Sequence, residues 1–233
     1  MAITLANLEQ MAVTRITREY AASNVAYPSA MLYLWFSDAY REIQKKCHLL
    51  IATDRQNLVA GQANYTRPTD LLGDLIIDNG LMVKDAAGET YFPERRTWEY
   101  LRSQYGDFTG TDSRGVADWG MQGATIYLLW PPEDSITNGL VIDYVTDPGE
   151  LTTGADVSDL ETAKPGLIGY RVVDYVIFRV AEMEYGAHSK EAQAAWQLWA
   201  ATLGEIRDEA ADPPGLALRG KNMRRAHPAL RGM

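Results

Sequence analysis

Apolar residues recur at three- and four-residue steps near both ends of the chain, which is the spacing of an amphipathic helix. The first such stretch follows Thr4, whose hydroxyl can cap a helix, and the second covers residues 28 to about 48. Two more cover residues 167–185 and the stretch after Ser189, which is a second capping residue. The pattern therefore predicts a pair of helices at each end of the chain.

The apolar face of the last helix contains Trp196 and Trp199. Aromatic side chains at helical spacing form a core more often than a binding platform, and some face a neighbouring subunit. We therefore expect both indoles to be largely buried, either between the two helix pairs or between subunits.

The middle of the chain has the two-residue period of β-strands, interrupted by glycines and prolines. The dipeptide Asn79-Gly80 predicts a tight turn. The runs at 125–130 and 140–146, joined through two prolines, predict the clearest β-hairpin. Residues 97–105 have the pattern of a short helix.

These elements predict an α+β fold with three parts. The two helix pairs, in residues 1–52 and 165–212, would pack as a four-helix bundle because four amphipathic faces need partners. A small antiparallel β domain, residues 53–164, would be inserted between them. Residues 213–233 would form an extended basic C-terminal arm, since they open with Pro-Pro-Gly, which ends regular structure.

The composition is that of a soluble globular chain, because 46% of its 233 residues are hydrophobic and 23% are charged. No run of 18 apolar residues occurs, so we expect no membrane-spanning helix and no membrane partner. Cys47 is the single cysteine, which excludes an intrachain disulfide and fits a reducing compartment such as the cytoplasm.

Charge is distributed unevenly along the chain. There are 22 basic and 31 acidic residues, a net charge of −9. Five of the basic residues and none of the acidic ones lie in residues 213–233, so residues 1–212 have 17 against 31, or −14. An acidic body disfavours DNA binding, which needs clustered cations. The arm can bind DNA, an acidic protein surface or only solvent.

The sequence contains no recognisable catalytic, metal or cofactor motif. Its three histidines lie far apart, and neither a phosphate-binding loop nor a GxSxG motif occurs. Cys47 lies on an apolar helical face, where a buried side chain is a better interpretation than a catalytic thiol. Three carboxylate pairs leave a hydrolase as an alternative. They are Glu94 with Glu99, Asp70 with Asp74, and Asp134 with Asp143.

Two segments are candidates for contacts with other chains. Residues 106–123 contain five glycines and predict a mobile surface loop rather than a ligand loop. The arm interleaves cations with Leu and Met, which suits an extended segment that docks on another chain, and plain disorder is the alternative interpretation.

Five stretches carry a resemblance through their order and spacing. They are LWFSDAYREI at 34–43, VAGQANYTRP at 59–68, FPERRTWEYL at 92–101, and the pair IYLLWPP at 126–132 and GLVIDY at 139–144. In this arrangement the chain resembles the head–tail adaptor (connector) proteins of tailed bacteriophages.

The resemblance implies a structural, non-enzymatic virion protein of the neck, made and assembled in the host bacterial cytoplasm. It implies a homo-oligomeric ring, commonly of twelve copies, that docks on the portal protein and meets tail or nozzle proteins. Genomic DNA would pass through the lumen of this ring during packaging and ejection, without specific binding.

The resemblance also implies a role for the arm, and the glycine content of residues 106–123 indicates one for the loop. The arm would bind the portal, and its expected contact residues are Leu216, Leu218, Arg219, Lys221, Met223, Arg224, Arg225, Leu230 and Arg231. The glycine-rich loop would contact a neighbouring subunit or the tail, and its expected contact residues are Asp107, Asp112, Arg114, Asp118 and Trp119. Two alternatives stay open: a tail-associated hydrolase that uses a carboxylate pair, and a nucleic-acid-binding module that acts through the basic arm.

Overall fold

A computed structural model of the chain describes residues 3–20, 27–105, 116 and 118–211. The described chain divides into two compact units, a helical unit of residues 3–50 and 147–211 and a β unit of residues 51–146. The helices are α1 Leu5–Glu19, α2 Ser29–Cys47, α3 Trp98–Tyr105, α4 Asp159–Ala163, α5 Val173–Tyr185 and α6 Lys190–Ala211. The strands are β1 Ile51–Leu58, β2 Asn64–Thr66, β3 Leu71–Lys84, β4 Thr90–Tyr91, β5 Glu94–Arg95, β6 Asp118–Gln122, β7 Thr125–Leu129 and β8 Ile136–Thr146.

The mixed α+β class is confirmed, and the four long helices predicted from the apolar spacing all form. Their apolar faces share one core, in which α5 packs against α1, α2 and α6. The pair α1 and α6 is not among the extensively packed pairs of helices. The arrangement as a four-helix bundle stays a prediction. Large side chains at the centre of this core include Leu8, Leu32, Phe36, Tyr40, Ile43 and Trp199.

The start of α1 differs from the prediction. The Thr4 side chain makes no capping hydrogen bond. Instead, the backbone N–H of Leu5 donates to the carbonyl oxygen of Asp156 at 2.9 Å, and that of Ala6 donates to Gly154 at 2.9 Å. A helix N-terminus needs acceptors for its first N–H groups, and here a distant loop supplies them. The predicted cap at Ser189 is confirmed, because its Oγ accepts from the N–H of Ala192 at 3.0 Å.

The loop that caps α1 lies in a segment that the sequence pattern placed with the β insertion. Residues 147–164 are instead grouped with the helical unit. The N–H of Leu151 donates to the Oγ of Ser37, which is buried on α2, at 3.0 Å. Leu160 on α4 is fully buried in the helical core. The segment looked irregular in sequence because its polar residues form turns around these few anchors.

The helix predicted over residues 167–185 is regular only in its second part. Gly169 has a φ of +53°, and residues 169–172 form a tight 3₁₀ turn before α5 begins at Val173. A left-handed backbone conformation interrupts an α-helix and favours glycine at that position.

The β unit consists of two four-stranded sheets. Their strand orders are β1-β8-β3-β4 and β2-β7-β6-β5. The pairing is antiparallel except between β5 and β6, which are parallel. Side chains from both sheets meet in one core, which includes Tyr65, Leu81, Trp119, Ile126, Leu128 and Ile142.

The predicted hairpin between residues 125–130 and 140–146 is wrong. Strand β7 pairs with β2 and β6, whereas β8 lies in the other sheet between β1 and β3. The chain leaves β7 through Trp130, which has a φ of +58°, and two prolines. Prolines do not donate to a sheet ladder, so this connection carries the chain to a second sheet.

The predicted tight turn at Asn79-Gly80 is also wrong, because β3 continues through it from Leu71 to Lys84. The register against β8 shifts between Ile76 and Leu81, which marks a bulge. Gly80 lies so close to β8 that a Cβ there would be 2.5 Å from the carbonyl oxygen of Asp143. Glycine is required here for the approach of two backbones rather than for a turn.

Candidate functional site

The residues expected to bind the portal lie outside the described residues. They are Leu216, Leu218, Arg219, Lys221, Met223, Arg224, Arg225, Leu230 and Arg231. The same holds for three of the loop residues, Asp107, Asp112 and Arg114.

The other two loop residues lie in a strand. Asp118 and Trp119 belong to β6, so the predicted loop ends earlier than residue 123. The Oδ1 of Asp118 accepts from the Nε of Arg96 at 3.1 Å. Trp119 is only 4% exposed, and the guanidinium of Arg95 lies over its ring at 5.3 Å. Within its own folded unit, Trp119 is a core residue rather than an exposed contact.

The most unusual surface of the helical unit is the outward face of α6. No charged residue occurs from Ala192 to Gly204, although much of this stretch is exposed. Trp196 is 46% exposed and Leu198 is 45% exposed. The prediction that Trp196 is largely buried is therefore wrong for the single chain, whereas Trp199 is fully buried as predicted. We call this surface the α6 face, and it consists of Gln193, Ala194, Trp196, Gln197, Leu198, Ala200 and Ala201.

The exposed indole of Trp196 is held on its inner side. Its ring lies 5.1 Å from the ring of Phe178 on α5. One turn further into α6, Trp199 meets the ring of Tyr175 edge-on at 5.3 Å. The α5–α6 contact thus fixes the backbone under the α6 face while leaving half of Trp196 in solvent.

The outward face of α1 is also uncharged. Its two charged residues before Arg18 both turn toward neighbouring helices. The carboxylate of Glu9 accepts from the hydroxyls of Ser29 at 2.5 Å and Tyr33 at 2.6 Å. Arg15 donates to Asp174 on α5 at 2.5 Å. We call the remaining surface the α1 face, and it consists of Ala6, Asn7, Gln10, Met11, Val13, Thr14 and Thr17.

Comparison with protein families gives a match over residues 3–220, which is most of the chain and includes both units. The matching family is described as SU10 adaptor protein. The chain belongs to the SU10 adaptor protein family. No curated protein is significantly similar to it. The resemblance to phage adaptors is confirmed at the level of the family, which assigns the chain a structural role in the virion.

One carboxylate ties the helices of this SU10 adaptor together beneath the two faces. The carboxylate of Asp174 accepts from Arg15 on α1 through Oδ1 and from the hydroxyl of Thr202 on α6 at 2.7 Å through Oδ2. One side chain of α5 therefore joins the helices that carry the α1 face and the α6 face. This contact fixes both backbones against the same central helix.

A buried carboxyl group anchors the segment before α5. Glu161 on α4 is fully buried, and its Oε1 accepts from the N–H of Gly169 at 2.7 Å and from the hydroxyl of Tyr40 at 3.4 Å. Its Oε2 has no hydrogen-bond partner among the described residues. Burial raises the pKa of Glu161, although the two hydrogen bonds act in the opposite direction.

At least one carboxylate of each pair that left a hydrolase open takes part in a structural contact. Glu94 accepts from Arg96, Asp143 accepts from the hydroxyl of Thr53, and Asp70 accepts from the hydroxyl of Tyr144. Burial and the hydrogen bond to Asp70 raise the pKa of Tyr144 to about 12. Across the described ranges, no group of three or more His, Cys, Asp or Glu side chains could hold a metal ion.

Two further findings concern the single cysteine and the length of the helices. Cys47 is half-buried against the helical core, and burial raises the pKa of its thiol. None of the helices in the described part of the chain is long and apolar enough to span a membrane.

Sequence reasoning missed the exposure of the α1 and α6 faces. The periodicity of α6 predicted a buried stripe correctly at Trp199 and Ile206 but extended it to Trp196. The overlooked signal is the absence of charge from Ala192 to Gly204. The solvent-exposed face of a helix normally carries charged and polar residues, so an outward face without any charge is unusual.

Proposed function

We propose that this SU10 adaptor is a head–tail adaptor that forms a ring on the portal and connects the capsid to the tail around the DNA channel. The observation that supports this most is the family match, which covers both units from residue 3 to residue 220. In this proposal twelve copies surround the channel in the virion neck. The four long helices form a bundle that provides the body of each subunit.

The arm of residues 213–233 is the proposed portal anchor. It carries five cations and no acid, and its leucines and methionines are spaced so that each can fill a shallow pocket. Arginine can bind a carboxylate through two parallel hydrogen bonds, which suits docking on an acidic protein surface. An arm that becomes ordered on docking loses chain entropy, so one contact is weak and a ring of copies gains avidity.

The acidic body suits a ring that DNA passes through. Residues 1–212 have a net charge of −14, and phosphate binding needs clustered cations. We therefore propose that genomic DNA slides through the lumen without specific binding. The loop that contains Asp107, Asp112 and Arg114 is the proposed contact with a neighbouring subunit or with tail or nozzle proteins.

Truncation after Asp212 tests the anchor. Helix α6 ends at Ala211, so the truncated chain should keep the circular dichroism spectrum and urea midpoint of the full chain. We expect the full chain to bind purified portal rings and the truncated chain to fail. A matched control retains the arm's length and apolar residues but replaces its five cations by glutamine. Loss of portal binding by this variant would show that the arm binds through its charges. Unchanged stoichiometry and salt resistance of the truncated chain on portals would contradict the proposal.

A further inference from the structure

The α6 face has the composition of a buried surface. On either side of it α6 carries ordinary surface charges, such as Glu191 and Arg207. Between them, 13 consecutive residues from Ala192 to Gly204 have no charge, a length of about 20 Å of helix. Among the described residues, one side of this stretch packs on its own chain, where Ala192, Trp199 and Thr202 are buried. The opposite side has neither charge nor cover among the described residues.

Gly204 adds a second observation of a different kind. Glycine in the interior of a helix is less favourable than alanine, so it usually serves a close contact or an unusual backbone conformation. A Cβ at Gly204 would meet no described atom within 4 Å, and its φ lies outside the left-handed region. Nothing in the described part of its own chain therefore requires glycine there. Together with Ala194, Ala200 and Ala201, it allows the backbone of another helix to approach.

The α1 face matches the α6 face in chemistry and in length. It is made of small, polar uncharged and apolar residues, with Met11 38% exposed and Val13 46% exposed halfway along its length. Its neutrality depends on Glu9 and Arg15 being turned toward other helices. The two faces lie on different helices, which are both packed on α5 and are not extensively packed on each other. Each chain thus presents two distinct neutral surfaces.

We propose that the α1 face of one copy packs on the α6 face of the next copy, head to tail. This inference rests on the proposed function, because it names the subunit contact of the proposed ring. A contact between two different surfaces of the same chain is heterologous, and repetition of such a contact gives a ring when the rotation between copies closes. One helix pair is small compared with a standard interface of about 1,600 Å², so closure of the ring supplies the avidity that a single contact lacks.

Charge matching favours a second copy over other occupants of these faces. The basic arm would place its cations on a surface that has no acid, which leaves them desolvated and unpaired. DNA requires cations, and the α6 face has none. In a body with a net charge of −14, two neutral faces are the surfaces that can meet without repulsion.

The test uses cross-linking in phage particles that contain the full-length chain. Met11 and Leu198 lie about halfway along the two faces and are 38% and 45% exposed, so parallel and antiparallel crossings both keep them at the same level, within reach of a cross-linker. We expect Met11→Cys with Leu198→Cys, treated with a short bismaleimide, to give a ladder of dimers, trimers and higher multiples. Each single variant, which retains Cys47, should give none. The matched control is Met11→Cys with Ala163→Cys, because Ala163 is an exposed helical alanine of α4 outside both faces; it should give no ladder either.

A second arrangement keeps the test decisive if the double variant fails to assemble. Particles that contain both single variants should give dimers and no higher multiples, because each chain then has one reactive face. Absence of cross-linking in particles that do contain the chain would overturn the α1–α6 contact. Dimers from Leu198→Cys alone would overturn it in favour of a symmetric α6–α6 contact. Absence of the wild-type chain from the particles would instead refute the proposed function, so the two failures are distinguishable.

Discussion

Trp199 is the residue whose replacement tests the helical core most directly. It is fully buried, its ring meets Tyr175 at 5.3 Å, and its Nε1 has no hydrogen-bond partner among the described residues. Comparable replacements of a buried tryptophan by alanine cost about 3–5 kcal/mol. Removal of an unpartnered buried N–H returns about 1 kcal/mol or more of that cost. We therefore expect Trp199→Ala to lower the free energy of unfolding by about 3 kcal/mol.

Two further variants separate the contributions. Trp199→Phe keeps most of the apolar contact and removes the unpartnered N–H, so we expect a loss of about 1 kcal/mol or less. Trp196→Ala removes a side chain that is already half in solvent. With about 100 Å² of lost contact at about 25 cal/mol per Å², its cost should be about 2.5 kcal/mol at most.

The assay is urea denaturation followed by circular dichroism at the helical minimum, with the slope of the transition checked for each variant. A Trp199→Ala midpoint equal to that of the wild type would refute burial of Trp199 in the core. Equal losses for Trp199→Phe and Trp199→Ala would show that the indole N–H makes a hydrogen bond after all. A larger loss for Trp196→Ala than for Trp199→Ala would reverse the assignment of the two indoles.

Two pH-dependent predictions concern the segment before α5. Because burial raises the pKa of Glu161, its favourable contribution is complete below its usual pKa near 4.3 and is lost as the pH rises through the folded pKa. Glu161→Gln should therefore gain stability relative to the wild type as the pH rises from about 4 to about 7. A constant difference between the urea midpoints of the variant and the wild type over that range would contradict the burial of a carboxyl group at this position. Hydrogen bonds from the Thr153 hydroxyl and from the backbone N–H groups of Thr152 and Thr153 lower the pKa of Asp156 to about 2. The ionised Asp156 therefore stabilises the folded state above its usual pKa, and this stabilisation is lost as the pH falls toward about 2. Asp156→Ala should speed hydrogen exchange at the amides of Leu5 and Ala6, whose acceptors lie in that loop, while unchanged exchange there would show that the loop holds its shape without the carboxylate.

The helices could be predicted from sequence because the local spacing of apolar residues indicates which face of a helix is buried. Trp196 shows where this method fails. It lies three residues from Trp199 on the same stripe, yet one is 46% exposed and the other is fully buried. Periodicity gives the direction of a face but not its width, which depends on where the neighbouring helix lies.

Strand pairing was predicted less well because it depends on contacts between distant residues. The dipeptide Asn79-Gly80 has the local signature of a turn, but the approach of Asp143 from β8 uses Gly80 as a bulge position instead. The runs that become β7 and β8 are adjacent in sequence and lie in different sheets, since β8 finds its partners in β1 and β3. Both errors come from tertiary contacts that override local propensity.

The candidate surfaces could be predicted only in part. The charge pattern identified the arm directly, whereas the α1 face is neutral only because Glu9 and Arg15 bind groups on other helices. In the sequence both charged residues belong to α1, so the neutral face could not be predicted from it. The family resemblance was accessible because it depends on the order of short stretches rather than on side-chain contacts.

The measurement that tests the adaptor role most directly is the native mass of purified portal rings with and without the full-length chain. We expect a discrete complex in which each portal ring gains a fixed, ring-forming number of chains, and in which this number does not rise further when the chain is in excess. Portal rings whose mass stays unchanged at saturating concentrations of folded chain would contradict it.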